Sequence, residues 1–224
     1  MKKLQFTIRT GLLCAMLVLF FNCKKESTDL TPSTWNYATF TDARDGKAYK
    51  SIQIGTQEWM AENLAYKTDS GFWYPGNNKS LGTMYGLLYT WDAAKQAVPA
   101  GWHLPSDAEW KQLEMFLGMS QSEADGIDFR GTNEGSKLMS RTGWGDKLIG
   151  IDEVGFNALP AGIRSDSGGF FVDGWYGYWW SATEGDNSKA WIRLLIFSSS
   201  KVSRNLSFKE DAFSVRCIKG SNNP

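Results

Sequence analysis

The 224-residue chain is poor in the side chains that most reactive centres use. Histidine occurs once, at His103, and cysteine three times, at Cys14, Cys23 and Cys217. Zinc sites combine several His, Cys or carboxylate ligands, and nucleophilic catalysis pairs a nucleophile with a base. A histidine triad or a His/Cys metal centre therefore has little to be built from. Charge of one sign is lacking too. With 24 basic and 24 acidic residues, no basic surplus argues for nucleic acid. No apolar run reaches the roughly 20 residues that cross a bilayer.

The longest apolar stretch, "GLLCAMLVLFF" from Gly11 to Phe21, follows a positive segment carrying Lys2, Lys3 and Arg9. A charged start followed by a short apolar run reads as a signal peptide over residues 1–22. Losing it leaves 21 basic against 24 acidic residues, a net charge of −3. Cys23 follows in "FFNCKKES", which resembles a bacterial lipoprotein signal in the relaxed form of Bacteroidetes-type bacteria. The expectation is an exported, outer-membrane or cell-surface lipoprotein, anchored to the membrane through lipidated Cys23. Residues 23–36 are polar and aperiodic and read as a tether. Residues 37–220 read as one globular domain and 221–224 as a tail. With Cys14 and Cys23 spent, Cys217 has no partner for an intrachain disulfide, so the domain must rest on packing alone.

What is plentiful is tryptophan, at 11 residues, and glycine, at 23. Asp45-Gly46 predicts a hairpin turn, with strands after it and near Gln57–Met60. That role also accounts for Asp42 and Asp45, whose spacing is not that of an EF-hand. Two helices are expected. One covers Trp91–Ala97 and stops before Pro99. The other begins at a capping box, Ser106 with Glu109, and presents Trp110, Leu113 and Leu117 on one face. His103 falls in a short link ahead of that cap, where a structural role bonding local backbone is expected. Residues 119–177 are rich in glycine and polar groups with scattered aromatics, a long irregular region. "GYWWSA", "AWIRLLIF", "KVSRNLSF" and "FSVRCIK" then read as strands. In the last, Phe213, Val215 and Cys217 alternate with Ser214, Arg216 and Ile218, which predicts an inward, inert thiol.

"GTQEWMAENL", "LYTWDAA", "PAGWHLPSDAEW", "GFNALPAGIR", "YWWSATE", "AWIRLLIF" and "FSVRCIK" occur in this order. In combination they resemble the Fibrobacter succinogenes major paralogous domain of exported bacterial proteins, from about Tyr37 to Lys219. That family is similar to the C-type lectin-like fold, to which formylglycine-generating enzymes are also related. The resemblance implies an α+β fold of two helices and small antiparallel sheets with a long central loop region. It implies no established activity.

Three functions follow: a binding module for glycans or surface proteins, a structural envelope component, and an enzyme of the formylglycine-generating kind. The last uses a cysteine pair that the mature chain lacks. The calcium-lectin tripeptides Glu-Pro-Asn, Gln-Pro-Asp and Trp-Asn-Asp are absent, and Asp125, Asp128, Asp146, Asp152 and Glu153 read as a solvated acidic loop. Neither cofactor nor metal is expected. The ligand-binding candidates lie in the central region: Trp144, Arg164, Asp173, Trp175 and Tyr176. Trp175 and Tyr176, between Gly174 and Gly177, read as an exposed stacking platform beside the polar partners Asp173 and Arg164. Trp179 and Trp180 are assigned to the core.

Overall fold

The computed structural model describes residues 35–145, 149–172 and 174–220. The unit that starts at Trp35 is α+β with several antiparallel sheets. Its strands are β1 (Ala38–Thr41), β2 (Ala48–Ile54), β3 (Gln57–Met60), β4 (Phe72–Trp73), β5 (Leu88–Tyr89), β6 (Trp102–His103), β7 (Asp128–Arg130), β8 (Ile163–Arg164), β9 (Phe170–Phe171), β10 (Tyr176–Glu184), β11 (Lys189–Ile196), β12 (Val202–Phe208) and β13 (Ile218–Lys219). Its helices are α1 (Lys79–Tyr85), α2 (Trp91–Ala97), α3 (Asp107–Phe116), α4 (Gln121–Ala124) and α5 (Glu134–Leu138).

Two sheets dominate, in the orders β1-β2-β3-β13-β6 and β10-β11-β12-β7, with β4–β5 and β8–β9 as small pairs. The first hairpin forms where Asp-Gly predicts it. Gly46 takes φ +73°, and Asp42 accepts from the Arg44 backbone and guanidinium.

β10 carries Trp179 and Trp180 side by side, and neighbours on a strand point to opposite faces. Trp179 enters a cluster with Trp59, Trp110, Trp144 and Phe156, while Trp180 enters another with Tyr49, Trp91, Phe213 and Cys217. Both are fully buried, as the sequence predicts.

The alternation read in "FSVRCIK" does not survive. Residues 211–218 are all buried, Ser214 and Arg216 included. The segment runs through the interior with main-chain partners on both sides. Phe213 exchanges hydrogen bonds with Tyr89, Ser214 donates to Tyr178, and the Val215 and Cys217 carbonyls accept from Leu64 and Met60. A strand covered on both faces keeps no polar side.

Arg216 is therefore held by acceptors. Its guanidinium donates to Asn63 Oδ1 at 2.8 Å and to the carbonyls of Met60 and Phe156. Burial pulls its pKa down to about 9 against the opposing pull of Asp152. Asp152 is buried rather than solvated, and accepts the Asn157 amide at 2.8 Å. Burial raises its pKa, with the Asn157 bond and Arg216 opposing.

The expectation of two helices needs correction. Both appear with the bounds the caps predict, and the capping box is complete. Three further short α-helices join them among the described residues. α4 has its own capping box, Ser120 with Glu123, and α1 is capped by Asn78. Such short pieces carry too little apolar periodicity to read in advance; local caps and tertiary contacts hold them. The central region is consequently less irregular than its composition suggests.

Candidate functional site

A cleft of about 460 Å³ opens where three segments meet. That falls within the roughly 300–1,000 Å³ usual for ligand pockets. α1 contributes Leu81 and Tyr85, four residues apart and so on one helix face. The segment after α5 contributes Gly143 and Gly145, and the segment after β9 contributes Val172 and Gly174.

The two glycine segments are tied together, the Gly145 amide donating to the Gly174 carbonyl at 3.0 Å. This approach requires glycine. A Cβ on Gly174, at φ +77°, would stand 3.1 Å from the Gly143 carbonyl oxygen. Three of the lining residues are glycines, so main chain forms much of this wall, beside Leu81, Tyr85 and Val172.

An aromatic pair borders this wall. Trp175 is 44% exposed and stacks on Phe197, with ring centroids 5.2 Å apart and planes 28° from parallel. A Cβ on Gly145 would meet Phe197 at 3.0 Å and Trp175 at 3.4 Å, so the pair lies directly against the loop lining the cleft.

The predicted site residues are only partly brought together. Trp175 is where the sequence suggests. Tyr176, next to it, starts β10 and turns to the other face, where its ring lies 6.3 Å from Tyr178. The ring stacked on Trp175 is therefore that of Phe197, not Tyr176, because consecutive strand residues diverge. Trp144 is 3% exposed and its indole donates to the Ala158 carbonyl at 2.9 Å, which puts it in the core. Arg164 is half-buried, its guanidinium 4.0 Å over the Trp73 ring and bonded to the Ser165 carbonyl. Neither Arg164 nor Trp73 is among the residues that line the cleft. Asp173 lies outside the described residues, as do residues 146–148 and Cys23. Leu81, Tyr85 and Phe197 escaped the sequence reading. The cap at Asn78 was the available signal for α1; Phe197, ending "AWIRLLIF", reads as ordinary strand.

His103 is buried, with Nδ1 3.0 Å from the Gly220 carbonyl and Nε2 2.8 Å from Glu109 Oε1. Both partners accept, so the neutral ring satisfies one of them and the doubly protonated ring both. The other Glu109 oxygen accepts the Ser106 amide at 2.7 Å, so His103 braces the capping box and ties it to Gly220. Cys217 is a free, fully buried cysteine, and burial pushes its thiol well above the usual range. A thiol kept protonated is a poor nucleophile. Among the described residues, no group of three or more His, Cys, Asp or Glu side chains could hold a metal ion.

The sequence model of one protein family, the Fibrobacter succinogenes major domain, matches residues 52–219. The chain belongs to that family. All seven motifs quoted above fall inside the match, and in this Fibrobacter succinogenes major domain they build the interior. Trp59, Asn63, Trp91, Trp110, Phe156, Trp179, Trp180 and Arg216 are all buried. The signature of the domain is thus a packing signature. No curated protein and no solved structure was found to match the chain.

Proposed function

We propose that this domain is an exported, lipid-anchored module of the cell envelope that binds a glycan through the glycine-walled cleft and the Trp175–Phe197 pair. The observation that carries the reading is the pairing of an exposed, flat aromatic surface with a wall of main-chain polar groups. Sugars present apolar faces that stack on rings and hydroxyls that need polar partners. Main-chain carbonyls and amides supply such partners without the entropy cost of ordering long side chains. The C-type lectin-like resemblance and the lipoprotein-like leader support the same reading, since lectin-like folds carry ligands on their long central region.

The test is a glycan array probed with the detergent-solubilised protein, followed by titration of any ligand found. Trp175→Ala should leave the melting temperature nearly unchanged and weaken binding by about 1–3 kcal/mol, on the scale of ring stacking against bases. Equal affinity in the variant would sink the cleft as the site. A clean array together with a hit on a surface-protein array would transfer the cleft to a protein ligand. Silence on both would favour a structural envelope role.

A further inference from the structure

We infer that a second pocket, on another face of α1, takes the acid group of an anionic sugar residue. The pocket measures about 210 Å³ and is lined by Lys47, Lys67, Lys79, Tyr74 and Leu87, with Thr83 at its wall. Lys79, Gly82 and Thr83 face it, whereas Leu81 and Tyr85 face the cleft, so one short helix divides the two. Three lysines line this one pocket, on a domain whose charge balance is acidic once the leader is removed.

These lysines are not spent on structure. Among the described residues, the lysines that pair with carboxylates are Lys95, Lys111, Lys137, Lys209 and Lys219, not these three. Lys47 Nζ lies 4.9 Å over the Tyr49 ring and Lys67 Nζ 5.6 Å over the Tyr74 ring, contacts that hold the amines near the pocket without neutralising them. Asp45 is close in sequence, but its carboxylate accepts the Lys47 main-chain amide in the hairpin turn. Converging like charges repel one another, and a bound anion relieves that repulsion.

The floor of the pocket decides the class of anion. Leu87, Ala65 and the Tyr74 ring are apolar, so the ligand presents a carbon face below its charge. A uronate or sulfated sugar does so; a bare inorganic anion does not. The Thr83 hydroxyl, which donates to the Lys79 carbonyl within α1, keeps its oxygen free to accept from a sugar hydroxyl. The inference deepens the glycan reading and rests on it in one respect, that the ligand is a saccharide.

The test uses the full chain in detergent and three probes by calorimetry: polygalacturonate for carboxylate, dextran sulfate for sulfate, and dextran as the neutral control. At least one acidic polymer should bind, dextran should bind more weakly, and added salt should weaken the acidic complex. Replacing Lys47, Lys67 and Lys79 together with Ala should lower acidic-polymer affinity about tenfold, the product of three modest ion pairs. Lys67→Glu, a single exposed change, should lower it in the same direction if the triple variant melts early. Failure of both polymers, equal binding of dextran, or unaltered affinity in Lys67→Glu each overturns the pocket. Inorganic phosphate competing as well as galacturonate overturns the sugar class. Trp175→Ala reports on the cleft separately. A glycan that loses affinity with Trp175→Ala but not with the lysine variants keeps the cleft and rejects the pocket.

Discussion

Asn63 organises more of the interior than its size suggests. Its Oδ1 accepts the Trp179 indole at 2.9 Å and the Arg216 guanidinium at 2.8 Å, while its Nδ2 donates to the Tyr85 carbonyl at 2.9 Å. Asn63→Ala strands two buried donors, one of them charged. Each unsatisfied buried group costs roughly 1–3 kcal/mol, so a loss of about 3 kcal/mol or more is expected by urea denaturation. An effect below about 1 kcal/mol would mean that water takes over these partners. Cys217 gives the contrasting case. Cys217→Ala removes one buried sulfur and should cost about 1 kcal/mol. The native thiol should stay silent to a thiol reagent until the protein unfolds, and rapid labelling of folded protein would contradict its placement.

The helix α3 is fastened to the second sheet by charge. Glu114 accepts from Arg130 at 2.6 Å and from Arg193 at 2.5 Å, and Asp107 accepts from Arg193 at 2.9 Å and Arg204 at 2.8 Å. All five are buried, so removing one partner is costlier than the pairs themselves are stabilising. Glu114→Gln should destabilise by about 3–5 kcal/mol. At Asp107, burial alone would raise the pKa, but the Arg204 hydrogen bond and the Arg193 charge together leave it lowered. A carboxyl depressed in the folded state stabilises above its unfolded value of about 3.9 and loses that stabilisation as pH falls through its folded value. Stability should therefore drop below about pH 4, and Asp107→Asn should flatten that part of the profile. An acid limb of unchanged steepness in the variant would assign it to other carboxylates, such as Asp42 beside Arg44. At the start of the same helix, Ser106→Ala should cost about 1 kcal/mol through the lost cap.

At the scale of the whole molecule, the two pockets share one thin wall, α1, whose seven residues are fixed by the Asn78 cap and by Gly82 lying against Tyr74. A Cβ on Gly82 would fall 2.3 Å from that ring, so Gly82→Val should displace α1 and impair both pockets together. The Trp175 and lysine variants should each impair one. In the proposed function, placement of the molecule depends on residues 1–23 acting as a lipoprotein leader. Cys23→Ala should release the protein from membranes or block its processing, followed by fractionation and mass spectrometry of the mature N-terminus. Membrane association without lipid on that terminus would remove the anchor from the proposal.

Local signals were legible in the sequence because they act over a few residues. Asp45-Gly46 sets its hairpin, the Ser106–Glu109 pair starts its helix, Pro99 stops the one before, and the seven ordered motifs identify the family. Trp179 and Trp180, in the apolar "GYWWSA", and Cys217, grouped with Phe213 and Val215, are assigned inward in advance, and all three are buried. Tertiary structure decided the rest. Whether Arg216 faces water depended on a second layer covering the segment 211–218. Whether Trp175 stacks on Tyr176 or on Phe197 depended on which strand pairs with β10. Trp144 and Trp175 are both aromatic among glycines, and sequence treats them alike. One is drawn under the loops by the Ala158 carbonyl, while the other is left at the edge of a cleft whose walls come from three distant segments. Local chemistry acts along the chain, whereas a concave surface is a relation among parts that meet after folding.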